Sequence, residues 1–207
     1  THNLNVYRSL LKPETKIMVM VKAFSYGSGD IEIASTLQYQ HVDYLAVAVS
    51  DEGVQLRNAG ISTPIIVMNP EQQSFQNIIE YGLEPNIYSA SLLESFIKTA
   101  GQFGVKDFPV HLKIDTGMNR LGFKTESEIK KIIDRIKQSN QLKVKSVFSH
   151  LAGSDEATFD DFTQSQFRKF DKITSTITKM LEYKFDRHIL NSAGIERFSE
   201  KQYEMVR

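Results

Sequence analysis

A lysine that closes a run of five apolar residues invites a chemical reading. In "KIMVMVKAFSYGSGD", Lys16 to Asp30, the run Ile17 to Val21 leads straight into Lys22. Burial disfavours an ammonium ion, and a neutral amine is the form that condenses with an aldehyde. A strand-end lysine ordinarily snorkels to water, so Lys22 taken alone decides nothing. The "SYGSGD" that follows supplies glycines for close backbone approach and, in Tyr26, a hydroxyl able to donate to a phosphate. Its "GSG" is too short to count as a phosphate fingerprint.

A second group lies in "HLKIDTGMNRLGF", where Lys113, Asp115 and Arg120 fall within eight residues. The planar fork of Arg120 suits a carboxylate or a phenolic oxygen and needs a partner to hold it. Asp115 reads equally well as part of a polar turn. His150, at the end of "VKSVFSH", is an acid–base candidate or a satisfied structural histidine; His41, His111 and His188 take the structural reading more strongly. Asn191 and Ser192, followed by "AG", present a hydroxyl and backbone N–H groups to an anion, or cap the next helix. Arg207 is the final residue, and nothing local interprets it. No cluster has metal-ligand spacing such as H-x-x-x-H. The residues thus point to imine chemistry with a phosphorylated aldehyde, although an aldolase-type lysine would look the same.

Such groups must be brought together by the fold. Runs rich in Val, Ile, Leu and Tyr recur as "KIMVMVK", "DYLAVAV", "PIIVMN", "EPNIYS", "FPVHLKID", "KVKSVFSHL" and "RHILNS", and "EMVR" opens an eighth. Between them lie segments of helical period. In "TESEIKKIIDRIKQ", Ile129, Ile132, Ile133 and Ile136 follow a Thr125 to Glu128 capping box. "SLLESFIKTAG" offers Ser91 and Glu94 as another box, and "DDFTQSQFRKFDKITSTITKML" is longer. Near-continuous apolar strands alternating with helices predict a parallel α/β fold. Seven strands and the start of an eighth predict an incomplete (β/α)₈ barrel of TIM type, with chemistry at the C-terminal strand ends. Those ends carry Lys22, Asn69, Ser89, Lys113 with Asp115, Ser149 with His150, and Asn191 with Ser192.

Bulk composition narrows the partners. Lys and Arg total 25 and Asp and Glu total 25, so the formal charge is zero and no electrostatic footprint for nucleic acid or an anionic membrane is visible. A small molecule or a protein is the expected partner. The absence of cysteine excludes disulfides and thiolate chemistry and fits a reducing cytoplasm. No apolar run reaches the roughly 18 residues of a membrane span. The chain opens on Thr1 and stops in "QYEMVR", and it reads as part of a longer protein.

Taken together and in order, "VKAFSYGSG", "HLKIDTGMNRLGF", "SHLAGSDE", "ILNSAG" and "MVR" resemble the pyridoxal-phosphate-dependent alanine racemases, over essentially all of residues 1–207. The resemblance implies an N-terminal barrel domain whose C-terminal β-domain lies outside this sequence. By position, Lys22 is similar to the lysine that carries pyridoxal 5′-phosphate and serves as one of two bases. Tyr26 resembles the phosphate-binding tyrosine, and Lys113 a lysine that is often carbamylated and orients Arg120. Arg120 matches the arginine at the cofactor's phenolic oxygen and the substrate carboxylate. His150 matches the histidine beside the pyridine ring, Asn191 and Ser192 fall in the phosphate-reaching stretch, and Arg207 falls at the pyridine nitrogen. A permanently charged guanidinium there keeps the ring nitrogen largely unprotonated and weakens the electron sink, which favours racemisation over side reactions.

The implied activity is interconversion of L- and D-alanine for peptidoglycan, by a cytoplasmic homodimer whose second base, a tyrosine, comes from the partner's C-terminal domain. The chain alone is therefore expected to be nearly inactive. Phe24, Ser25 and Ser28 depart from the more usual "VKANAYGHG" and resemble racemase halves fused to a Mur-type ligase. A pyridoxal-phosphate carrier barrel without enzymatic activity and a racemase of another amino acid, such as serine, are the alternatives. Arg120 favours the racemase over the carrier.

Overall fold

The computed structural model describes all 207 residues. The apolar runs form eight parallel strands: β1 (Lys16–Met20), β2 (Tyr44–Val47), β3 (Ile65–Val67), β4 (Glu84–Ile87), β5 (Phe108–Lys113), β6 (Leu142–Phe148), β7 (Asp186–His188) and β8 (Met205–Val206). They are ordered β7-β6-β5-β4-β3-β2-β1-β8, which is sequential winding with β8 returning beside β1. The two end strands then meet. At that seam the Arg207 N–H donates to the Leu190 carbonyl at 3.0 Å, and Arg187 pairs with both carboxylate oxygens of Glu204. The eighth strand, expected only as a beginning, is two residues long, and those two residues suffice to pair with β1 through Lys16 and Ile17.

Helices α1 (His2–Ser9), α2 (Lys22–Gly27), α3 (Asp30–Tyr39), α4 (Ser50–Asn58), α5 (Phe75–Glu80), α6 (Ala90–Gln102), α7 (Glu126–Ser139), α8 (Asp160–Met180) and α9 (Ser192–Arg197) surround the strands. In α7, Thr125 accepts from the Glu128 N–H, and the predicted isoleucines are all buried. Each contributes about 1.5–3 kcal/mol of apolar transfer. The predicted box at Ser91 and Glu94 is different in the structure: Ser89 caps α6 by accepting from Leu92 N–H, and Glu94 reaches outward to Arg135. Ser91 is already inside the first turn, where its backbone cannot take the extended conformation that a cap needs.

Two layers of packing result. A cluster of 40 buried residues fills the space between strands and helices. The barrel interior holds a second cluster, Met18, Tyr44, Ala46, Ile66 and Met205, with Met20 and Met68 above it. One interior sector is polar: His111 hydrogen-bonds Glu84 at 2.7 Å and Ser146 at 2.7 Å, and Ser146 contacts His188 at 3.2 Å. No helix is long and apolar enough to cross a membrane.

Candidate active site

Because all strands run parallel, their C-terminal ends open on one face, and a cavity of about 330 Å³ lies there. Lys22, Tyr26, Lys113, Arg120, His150 and Arg207 line it, with Met20, Ala48, Met68, Asn69 and Leu121 between them. Asn191 and Ser192 line an adjoining apolar cavity of about 570 Å³ that shares Met20, Tyr26, His150 and Arg207 with the first. Eight of the sequence-derived candidates therefore border one or both of two cavities that share four lining residues. Ser89, offered as a polar strand end, caps α6 instead.

Lys22 leaves β1 through an unusual backbone. Ala23, Phe24, Ser25 and Tyr26 all have φ between +49° and +57°, so α2 is one turn of left-handed helix. Non-glycine residues pay about 1–2 kcal/mol each in this conformation. Strain of this kind persists where surroundings over-determine it, and it concentrates at functional sites. The turn projects Tyr26 into both cavities while leaving it mostly exposed.

Lys113 points inward from the end of β5 and is buried. Burial first, then the positive charges of Arg120 and Arg207, lower its pKa to about 8, against a smaller opposing pull from Asp115. Its ammonium lies 5.9 Å from the centre of the Phe148 ring, and Arg207 stands 5.4 Å from the same ring. Arg207 donates from Nη2 to His150 Nδ1 at 2.8 Å, while Nη1 is buried without a partner. Accepting that bond leaves Nδ1 without a proton, so neutral His150 carries its proton on Nε2. Burial, followed by Arg207, Arg120, Lys113 and Lys22, pushes the His150 pKa down to about 3. For Arg207 itself, burial and then Arg120 lower the value to about 10.

Asp115 serves the turn. Its Oδ1 accepts from the N–H groups of Gly117 and Asn119, both at 3.0 Å, and so shapes the loop that carries Arg120 back over the mouth. The loop returns by bonds from Asp115 N–H to the Phe123 carbonyl and from Phe123 N–H to the Lys113 carbonyl, both 2.9 Å. Gly122 is required at that crossing. With φ +123°, an added Cβ would stand 2.8 Å from the Lys113 carbonyl oxygen and 2.9 Å from Asp115 N. Asn191 takes the capping role: its Oδ1 accepts from Gly194 N–H at 2.9 Å and from the Ser154 hydroxyl at 2.8 Å. Ser192 opens α9 beside it.

This arrangement brings two lysine amines, two guanidinium groups and a neutral imidazole together, with no carboxylate lining the cavity. The family described as "Alanine racemase, N-terminal domain" matches residues 1–207. The chain belongs to the alanine racemase family. Among curated relatives, alanine racemase of Thermodesulfovibrio yellowstonii is 36% identical over 210 residues, and that of Methanococcus maripaludis 33% over 210. Each match covers 100% of this chain and 55% of the relative. Alanine racemase of Clostridium difficile 630 in complex with cycloserine superimposes with a TM-score of 0.93 at 32% identity, covering 99% of this chain and 56% of that one. The Bacillus anthracis enzyme with bound L-Ala-P gives 0.91 at 25% identity, covering 100% and 53%. The chain thus spans about half the length of the racemases it matches.

Within this racemase fold, sequence reasoning missed two residues that hold the mouth together. Gln166, fully buried on α8, accepts from Ala152 N–H at 3.0 Å and donates to the His150 carbonyl at 3.0 Å and to Thr116 Oγ1 at 3.1 Å. Thr116 in turn contacts Ser149 at 2.8 Å. The loops after β5 and β6 are thereby joined through one amide. Its signal was present: Gln166 stands on the apolar stripe Thr163, Phe167, Phe170, Ile173 and Ile177 of α8. A buried amide in such a stripe demands partners. The second, Ser154, has no distinguishing pattern in the sequence.

Proposed function

We propose that residues 1–207 form the cofactor-binding barrel of a pyridoxal-phosphate-dependent alanine racemase. The observation that carries this is Lys22 in a mouth with Lys113, Arg120 and Arg207 and no lining carboxylate, in a chain of the alanine racemase family. The residues fit that cofactor. Unbalanced positive charge suits a phosphate ester, and the buried, unpartnered Arg207 Nη1 needs an acceptor that the protein does not provide. Lys22 would hold the aldehyde carbon; Tyr26, Ser192 and the N-terminal turn of α9 would hold the phosphate. Asn191 orders that turn by capping it.

When bound, pyridoxal phosphate supplies an electron sink that weakens the Cα–H bond of an attached amino acid. The chain does the rest. Arg207 keeps its proton even with a pKa lowered to about 10, so it would donate to a ring nitrogen without protonating it. His150, accepting from Arg207, fixes the guanidinium plane. Arg120 binds the substrate carboxylate. Burial leaves Lys113 with an appreciable neutral fraction near pH 8. A neutral amine adds carbon dioxide, forming an N–C bond and releasing a proton, and the carbamate anion then orients Arg120. Lys22 Nζ takes or returns the proton on one face of Cα. Inversion requires a second base on the opposite face, which the resemblance assigns to a tyrosine of a partner's C-terminal domain. The working enzyme is a cytoplasmic homodimer supplying D-alanine for peptidoglycan.

The test is alanine racemisation by the full-length protein, with Lys22→Ala and Arg120→Ala beside it and serine as a competing substrate. Loss of racemisation in both variants is expected. Racemisation that persists in Lys22→Ala defeats the proposal. Cofactor binding without racemisation in the full-length enzyme would favour the carrier.

A further inference from the structure

Four successive L-residues at left-handed angles revert to the ordinary right-handed basin unless something holds them. Inside α2 the chain helps itself: Ser25 N–H reaches the Val21 carbonyl and Gly29 N–H the Phe24 carbonyl, both at 3.2 Å. Neither bond touches Ala23, the first left-handed residue and the one next to Lys22. The Ala23 N–H is met from another element, by Glu52 Oε1 at 2.8 Å. The other oxygen of the same carboxylate accepts from Ala48 N–H at 2.7 Å, with Val49 N–H at 3.5 Å.

Glu52 stands in the first turn of α4, where its charge complements the helix N-terminus. The adjacent Gly53 seats α4 firmly: a Cβ there would lie 2.9 Å from Leu83. One carboxylate therefore ties the C-terminal ends of β1 and β2 together from a fixed base.

We propose that Glu52 is a positioning residue for Lys22, its two oxygens clamping Ala23 and Ala48 so that the left-handed turn holds the lysine amine in the mouth. The inference rests on the reading of Lys22 as the cofactor lysine. A carboxylate is the side chain that does this, because both of its oxygens accept. Glutamine has one acceptor and would turn its NH₂ toward the other N–H. Aspartate is one methylene shorter.

The test follows Schiff-base formation on the purified protein with pyridoxal phosphate. The Lys22 nitrogen and the aldehyde carbon form a C=N bond with loss of water, and borohydride reduction fixes the label for peptide mapping. Wild type should label at Lys22, and Lys22→Ala should lose that peptide. Glu52→Gln should label Lys22 about tenfold more slowly, the equivalent of one charge-assisted bond. Its label should also spread to other lysines, and its Ala23 amide should exchange faster, while circular dichroism and the unfolding midpoint establish that the fold is kept. A folded Glu52→Gln that labels Lys22 at the wild-type rate overturns the inference, whatever its amide exchange. Wild-type protein that never labels at Lys22 removes the cofactor reading and this inference with it, a pattern distinct from the first. One measurement needs no variant: if the Ala23 amide of wild type exchanges as fast as an open loop, the clamp is absent and the proposal fails.

Discussion

Replacing Arg207 by methionine removes a charge from His150 while keeping most of the side-chain volume. In the wild type, burial first and Arg207 second bring the His150 pKa from 6.5 to about 3. The difference corresponds to about 5 kcal/mol at about 1.4 kcal/mol per pH unit. Burial is the larger cause and Arg120, Lys113 and Lys22 contribute too, so the guanidinium accounts for less than half. Arg207→Met should raise the His150 midpoint by about one pH unit and leave it well under 6.5. The stability consequence has a definite sign. Between about pH 3 and 6.5 the unfolded chain binds the proton and the native His150 does not, so native stability rises with pH across that window. It is lost on acidification, and the variant should lose about 1.4 kcal/mol less. The assay is a ring-proton NMR titration of the five histidines, with His150→Gln assigning the resonance, alongside urea melts at several pH values. A wild-type His150 midpoint near 6.5, or an identical midpoint in Arg207→Met, would refute the argument.

Three other outcomes follow from the same geometry. Gln166→Leu strands the Ala152 N–H and the His150 carbonyl, so it should cost about 2–4 kcal/mol in chemical denaturation, well above a surface substitution. Gly122→Ala should cost about 3–4 kcal/mol and detach the Arg120 loop, which amide exchange at Gly117 and Asn119 will report; wild-type protection there would contradict the close approach. Because the native Lys113 pKa is about 8 against 10.5, stability should rise with pH between those values, and Lys113→Met should flatten that rise in melts run across the range.

The barrel was readable because its strands are buried on both faces, which writes Ile65, Ile66 and Val67 or Tyr44 to Val47 as continuous apolar runs. The helices with strong stripes were readable because burial of a single face writes the helical period into the sequence. The left-handed turn at Ala23 to Tyr26 was not, since none of its four residues is glycine and the bond that meets its first N–H comes from Glu52 on α4. Asn191 illustrates another limit: ligand and cap demand the same acceptor atom, and only the position of Gly194 N–H distinguishes them. Lys113 and Arg207 differ again. Their residue types suggested charge, but burial and then Arg120 lower both pKa values, with Arg207 adding to the shift of Lys113, and Arg207 stands 87 positions from Arg120 in the sequence.

Cations line the mouth of this barrel and carboxylates do not, and that difference makes a measurable demand. Acidic groups elsewhere are committed: Glu84 to His111, Asp186 to Lys16, Asp115 to the loop amides, Glu52 to Ala23 and Ala48. The mouth is left with Lys22, Lys113, Arg120 and Arg207 and no lining carboxylate. Mutual repulsion is one reason why Lys113 falls to about 8. An anion entering the mouth cancels that repulsion, so the Lys113 pKa must rise on binding. Near pH 8 about half of the native molecules carry neutral Lys113, and binding must therefore draw protons from the buffer, up to about half a proton per site. Calorimetric titration with sulfate, an anion that carries no titrating proton in this range, in carbon-dioxide-free buffers of different ionisation enthalpy measures that uptake directly. It should shrink at pH 6, where Lys113 is already charged, and vanish in Lys113→Met. Uptake of equal size in Lys113→Met would assign the proton to another group and break the link between the cation cluster and the lowered lysine.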